Sequence, residues 1–104
     1  MTAHATLLAA IAMTFAAGCM PTRPPQELVD ARAAYARAYV GPAAEANVAG
    51  LHDAKRALDD AEAKYQEDAS SEETRHLAYL AHRRVLLVET NARATMKAKT
   101  ATVP

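Results

Sequence analysis

Alanine carries the periodicity that most constrains this chain. Downstream of Pro25, small and apolar residues return at steps of mostly three and four: Leu28, Ala31, Tyr35 and Ala38; then Val48, Leu51, Ala54, Leu58, Ala61 and Tyr65; then Leu77, Leu80, Ala81, Val85, Leu87 and Val88. With 3.6 residues per turn, that spacing draws an apolar stripe along one side of an α-helix. The expected fold is therefore all-α, a three-helix antiparallel bundle or an elongated helical hairpin, with helices at about 25–40, 43–68 and 71–97. Small side chains at the contact positions let helices approach at the short end of the ~8–10 Å interaxial range. A weak internal repeat says the same, because Ala31 to Tyr35 with Ala38 matches Ala54 to Leu58 with Ala61. Its offset fits no solenoid period and reads as a packing pattern.

The boundaries follow from local chemistry. Pro25 suits a first helical turn, and Glu27 and Asp30 lie near the positive end of the helix dipole. Gly41-Pro42 stops the first helix. The second begins between Ala43 and Val48, with Asn47 a candidate N-cap, and Asp60 and Lys64 are spaced for an ion pair. Ser70 and Glu73 have the spacing of a capping box that opens the third helix. The connection there is short enough to return the third helix antiparallel to the second.

Composition limits how well such a bundle can be held. The 104 residues suffice for one small domain. Beyond Cys19 the larger aliphatic residues are seven Leu and six Val, with four Tyr as the only aromatics. The expected core is thin and its stability marginal. Twelve Lys and Arg balance twelve Asp and Glu, which gives no net basic field to draw in nucleic acid.

The N-terminus is of another kind. Leu7 to Ala17 form an uncharged apolar run of eleven residues, too short for the ~20 residues a membrane-crossing helix needs, and matched to the apolar region of a secretory signal peptide. The segment Ala16-Ala17-Gly18-Cys19 resembles a bacterial lipoprotein lipobox. That resemblance implies cleavage after Gly18 and lipidation of Cys19, which becomes the first residue of the mature chain. Met-Pro-Thr-Arg-Pro-Pro after the cysteine is linker chemistry, which favours this reading over a buried free thiol in an N-terminal helix. A catalytic thiol would need a nearby His and an ordered electropositive pocket. The expected organisation is a signal peptide at 1–18, a lipid-anchored tether at 19–25, an Ala-rich helical domain at 26–98 and a frayed tail at 99–104. Met20 rather than Asp after the cysteine points, by the enteric sorting rule, to the outer membrane facing the periplasm.

Few side chains suggest chemistry. His76 and His82 are six residues apart, about 120° around a helix, whereas zinc-binding helices place His at i and i+4. His52 stands alone beside Asp53. Asp59-Asp60, Glu67-Asp68 and Glu72-Glu73 are sequence neighbours and so lie on different helix faces. Arg83-Arg84 could meet lipid phosphates or peptidoglycan carboxylates; the simpler reading has one stem along the apolar stripe and its head in solvent or on Asp59. Tyr35, Tyr65 and Tyr79 have the spacing of gap-fillers between Ala-rich faces. No catalytic residue, metal ligand or cofactor site is expected.

From Pro25 to Arg93 the chain is similar to an uncharacterised family of Ala-rich helical bacterial envelope lipoproteins. The resemblance is carried by Glu27 to Tyr35, by Leu51 to Leu58 and by Thr74 to Arg84. In that family the helical domain often precedes an OmpA-like peptidoglycan-binding domain or stands alone, and no OmpA-like segment is recognisable here. The resemblance implies a location and an architecture, and no reaction. The expected partners are a membrane, through lipid on Cys19, an envelope protein and further copies of the same chain in a homo-oligomer. The competing expectation is a cytoplasmic helical adaptor or coiled-coil partner whose true start lies later than Met1.

Overall fold

A computed structural model describes residues 23–102. Among them are four helices: α1 (Gln26–Tyr39), α2 (Ala43–Ala46), α3 (Val48–Glu67) and α4 (Glu72–Ala101). The all-α expectation holds, and α1, α3 and α4 form an up-down-up bundle. Their directions can be read from the side chains that meet. Glu27 approaches Arg75 and Arg37 binds Glu89, so α1 and α4 run parallel; Arg32 binds Glu62 and Lys64 binds Glu73, so α3 runs antiparallel to both. The fourth helix is the spine, with 30 residues and a length of about 45 Å, and α1, α2 and α3 all pack against it.

The core has two layers. Near the start of α1, Leu28 and Ala31 meet Leu58, Ala61, Ala78 and Ala81. Toward the other end, Ala34, Ala38 and Ala43 meet Leu51, Ala54, Val85, Val88 and Ala92, while the half-buried Tyr35 packs against both layers. Ala31, Ala38, Ala54, Ala61, Ala78, Ala81 and Ala92 have no exposed surface. The repeat noted in the sequence therefore belongs to this contact, with Ala31 and Ala38 matching Ala54 and Ala61 as buried surfaces of α1 and α3. Methyl groups in these positions contribute modest apolar area each, and close helix approach supplies the rest as dispersion.

Several local expectations change. The expected 43–68 helix is split, because Asn47 leaves helical geometry at φ −149° and ψ 59°. Its side-chain oxygen accepts a hydrogen bond from the Gly50 amide at 3.1 Å, satisfying a donor at the start of α3. Four residues before it form α2, which is tucked against α4. Gly41 is not in the left-handed region, since no described residue has positive φ. The first helix closes instead with Gly41 N–H bonding Ala38 C=O at 3.2 Å, and Pro42 prevents its continuation.

The cap of α4 is one residue later than the Ser70–Glu73 spacing suggests. Ser71 is the N-cap: its Oγ accepts from the Thr74 amide at 3.1 Å and lies 2.9 Å from Thr74 Oγ1. The Thr74 hydroxyl, fully buried, donates to the Asp68 carbonyl at 2.7 Å and ties the α3–α4 connection to the core. Glu73 turns to Lys64 at 3.2 Å, so the Asp60–Lys64 pairing is replaced by contacts of Lys64 with Glu67 and Glu73. Helix α4 continues through Ala101, four residues past the expected end at 97, and takes in the start of the supposed frayed tail.

The stripe on α4 also rotates. Thr74, Ala78, Ala81, Val85, Val88 and Ala92 are buried, whereas Leu80 and Leu87 point outward at 45% and 60% exposure and Leu77 is only half-buried. On α3, Val48 is exposed and Tyr65 is half-buried. Burial of α4 follows its small residues, because two helices, α1 and α3, must both reach the same side of it.

Candidate functional site

The junction singled out by the sequence, Gly18 and Cys19, lies outside the described residues. Within 23–102, the side chains that carry charge and chemistry fall into an interhelical ion-pair set, shallow clefts and one outward face of α4.

Two arginines of α1 hold the bundle from opposite sides. Arg32 engages Glu62 of α3 through Nε to Oε1 and Nη2 to Oε2, the latter at 2.7 Å. Its guanidinium also lies 5.8 Å from the centre of the Tyr65 ring, within cation–π range. Arg37 engages Glu89 of α4 through Nε at 3.1 Å and Nη2 at 2.6 Å. Both are two-point guanidinium–carboxylate pairs, the strong form of such contacts. Hydrogen bonding to Arg37 holds the Glu89 carboxyl below its ordinary value, against a desolvation that pushes it up, with smaller contributions from the charges of Arg37, Arg93 and His82. Arg32 and Arg37 are raised correspondingly, chiefly by their hydrogen bonds to Glu62 and Glu89. These pairs escaped the sequence reading because their members are 30 and 52 residues apart.

The histidines do not converge. His52 borders an apolar cleft of about 350 Å³ with Tyr35, Tyr39, Ala44, Val48 and Leu51, at the break between α2 and α3. His76 is exposed and His82 half-buried on α4. Among the described residues no group of three or more His, Cys, Asp or Glu is placed to hold a metal ion. A second cleft, of about 420 Å³, brings Arg84 beside Asp53, Asp59 and Asp60. Asp59 itself pairs with Lys55, and among the described residues the exposed Arg84 makes no ion pair, so of the two expected places for its head, solvent or Asp59, it takes solvent. Both clefts are open depressions, and neither collects a nucleophile, an acid and a base at one point.

The outward side of α4 is different in kind. Tyr79, Leu80, Leu86 and Leu87 are 50%, 45%, 37% and 60% exposed. Spacings of 79, 83, 86 and of 80, 83, 87 make two rows that meet at Arg83, together spanning about 120° of the helix. Tyr79, expected as a gap-filler, belongs to this face. So do the two leucines that the periodicity assigned to the core. Charge is segregated too: from Thr74 onward α4 carries Arg75, Arg83, Arg84, Arg93, Lys97 and Lys99 against Glu89 alone, and Glu89 is turned inward to Arg37. No helix among the described residues is long and apolar enough to cross a membrane.

The fold and these surfaces define a class: a small Ala-packed helical bundle with an amphipathic spine. Within that class the chain belongs to a specific family. The profile of the domain of unknown function DUF4398 matches residues 26–102, starting at the first residue of α1 and ending just past α4. The match fits an uncharacterised family, as expected, and reaches nine residues beyond Arg93, over the rest of α4. No curated protein and no solved structure matches the chain.

Proposed function

We propose that the protein is a lipid-anchored component of the bacterial cell envelope, with lipid on Cys19, residues 19–25 as a tether and the helical bundle as a non-enzymatic structural or protein-interaction module. One observation carries this reading: the cysteine stands between an apolar run ending in Ala-Ala-Gly and a proline-rich linker, and the family domain and α1 both begin at Gln26, only seven residues later. A six-residue tether, Met20 to Pro25, reaches roughly 20 Å, which would keep the bundle close to the surface that holds the lipid. Attached acyl chains contribute about 0.8 kcal/mol per buried CH₂, and two or more of them make a stable anchor. Met20 rather than Asp after the cysteine favours, by the enteric sorting rule, the outer membrane, facing the periplasm.

The full chain, expressed in a Gram-negative bacterium, tests this by mass measurement of its N-terminal peptide and by detergent-phase partitioning. The expected result is loss of residues 1–18, an acylated Cys19 and partition into detergent that Cys19→Ala abolishes. An intact Met1 or an unmodified Cys19 thiol refutes the proposal and leaves the cytoplasmic adaptor.

A further inference from the structure

We infer that the outer face of α4 is a membrane-docking surface, which lies flat on a lipid surface containing anionic headgroups. Tyr79, Leu80, Leu86 and Leu87 supply the apolar part, and Arg83 reaches from the middle of it toward phosphates, while Arg84, about 100° further around the helix, lies at its edge beside Asp53, Asp59 and Asp60 of α3. A basic amphipathic helix with exposed leucines and an aromatic residue settles in the interface plane, and long arginine stems allow the guanidinium to stay at headgroup level. The nearest acids on α4 are withdrawn from this face. Glu89 points inward to Arg37, and Glu72 and Glu73 sit at the N-terminal end, where they meet Arg75 and Lys64. Anionic lipid headgroups attract surface cations held near the bilayer.

A second copy of the chain fits the face poorly. The apolar residues are disposed symmetrically about position 83, so an antiparallel two-fold pairing would set Arg83 against Arg83, and a parallel in-register pairing would do the same. Placement along the chain favours lipid instead. Glu27, at the start of α1, lies beside Arg75, and Tyr79 is four residues further along α4, about 6 Å. A tether from Cys19 therefore delivers this part of α4 to the bilayer. The inference rests on the envelope reading for bringing the protein to a membrane, and adds to it the orientation: the lipid would hold the chain there, and α4 would set which side faces the bilayer.

The test uses the full chain with Cys19→Ser, which carries neither lipid nor any other thiol, so its outcome does not depend on lipidation. A nitroxide is placed at Thr90→Cys, seven residues beyond Arg83 and exposed, or at Ala63→Cys on the exposed side of α3. Because Leu7 to Ala17 can itself enter vesicles, the readout is the local environment of each label, measured by its accessibility to oxygen and to a water-soluble nickel chelate. On vesicles of phosphatidylethanolamine and phosphatidylglycerol, the label at 90 becomes shielded from the chelate and the label at 63 stays aqueous. The shielding falls on raising the salt to about 0.5 M and on replacing the phospholipid with phosphatidylcholine. Leu80→Glu with Leu87→Glu weakens it by about tenfold or more, with helicity by circular dichroism confirming that the variant is folded. An aqueous label at 90 on vesicle-bound chain overturns the inference, as does equal shielding at 63, or equal shielding on phosphatidylcholine. Immobilisation at 90 that grows with protein concentration in the absence of vesicles assigns the face to a second copy and overturns it too. Immobilisation by an added envelope protein, with no shielding on vesicles, does the same in favour of a protein partner.

Discussion

Leu28 and Leu87 are both stripe leucines by spacing, and the structure treats them oppositely. Leu28 is fully buried in the layer formed with Ala31, Leu58, Ala61, Ala78 and Ala81, whereas Leu87 is 60% exposed. Leu28→Ala deletes one of the two leucines in a layer otherwise built of alanine, and the surrounding helices are already held apart by their backbones, so collapse into the space is limited. The expected cost is about 2.7–5 kcal/mol, the range for buried leucines that leave a cavity. For a described domain of 80 residues, total stability is of the order of 4–12 kcal/mol, so one substitution removes a large share of it. At ~4–8 °C per kcal/mol for a domain of this size, the thermal midpoint falls by about 10 °C or more. Leu87→Ala should cost less than about 0.5 kcal/mol, because the side chain gives up little burial and alanine is the better helix former. Thermal and urea unfolding followed by circular dichroism measures both. Equal destabilisation by the two substitutions, or a Leu87→Ala cost above that of Leu28→Ala, would refute the assignment of faces on α4 and with it the outward patch.

Three further outcomes follow from the same contacts. Ser71→Ala should lower stability by about 1 kcal/mol in urea unfolding while Ser70→Ala leaves it nearly unchanged, since Ser71 alone caps α4; the reverse order would restore the Ser70–Glu73 box. Gly50→Ala presents a conflict, because an added Cβ would lie 2.6–2.8 Å from the Asn47 side chain that caps α3. The helix-propensity gain of about 1 kcal/mol should therefore emerge fully in an Asn47→Ala background and be largely cancelled in the natural sequence, and additivity of the two substitutions would contradict the geometry. The Arg37–Glu89 pair links folding to pH. The carboxyl of Glu89 is lower in the folded than in the unfolded chain, so its contribution is present above the unfolded carboxylate value of about 4.3 and is lost as pH falls through the folded value. Glu89→Gln should shrink the stability difference between neutral pH and pH 3, by roughly 1 kcal/mol or less because Arg37 is largely solvated; an undiminished acid dependence would exclude the pair as a contributor.

Helix type and approximate extent were legible because they are local properties. Spacing of Leu28, Ala31 and Ala38, the stop at Pro42, the cap at Asn47 and the return near Ser70 and Ser71 all depend on residues within a few positions of one another. The register of the last cap was not legible. Ser70–Glu73 and Ser71–Thr74 have equal spacing, and burial of Thr74 beneath the α3–α4 connection selects the second. The face of α4 was likewise ambiguous, since Leu77, Leu80 and Leu87 compete with Ala78, Ala81 and Val85 for the core.

By itself, then, the sequence determined that the chain is helical, roughly where its helices begin and end, and that its single cysteine stands between an apolar run and a proline-rich stretch, because each of these is written in neighbouring residues. Only the tertiary structure decided which side of α4 is buried. Two partner helices can approach one side of a third closely only where its residues are small, so Ala78, Ala81, Val85 and Ala92 turn inward and the bulkier leucines turn out. The same docking pairs Arg32 with Glu62 and Arg37 with Glu89 across gaps no local pattern reports. A chain with no net charge thereby acquires a helix face that is both basic and apolar.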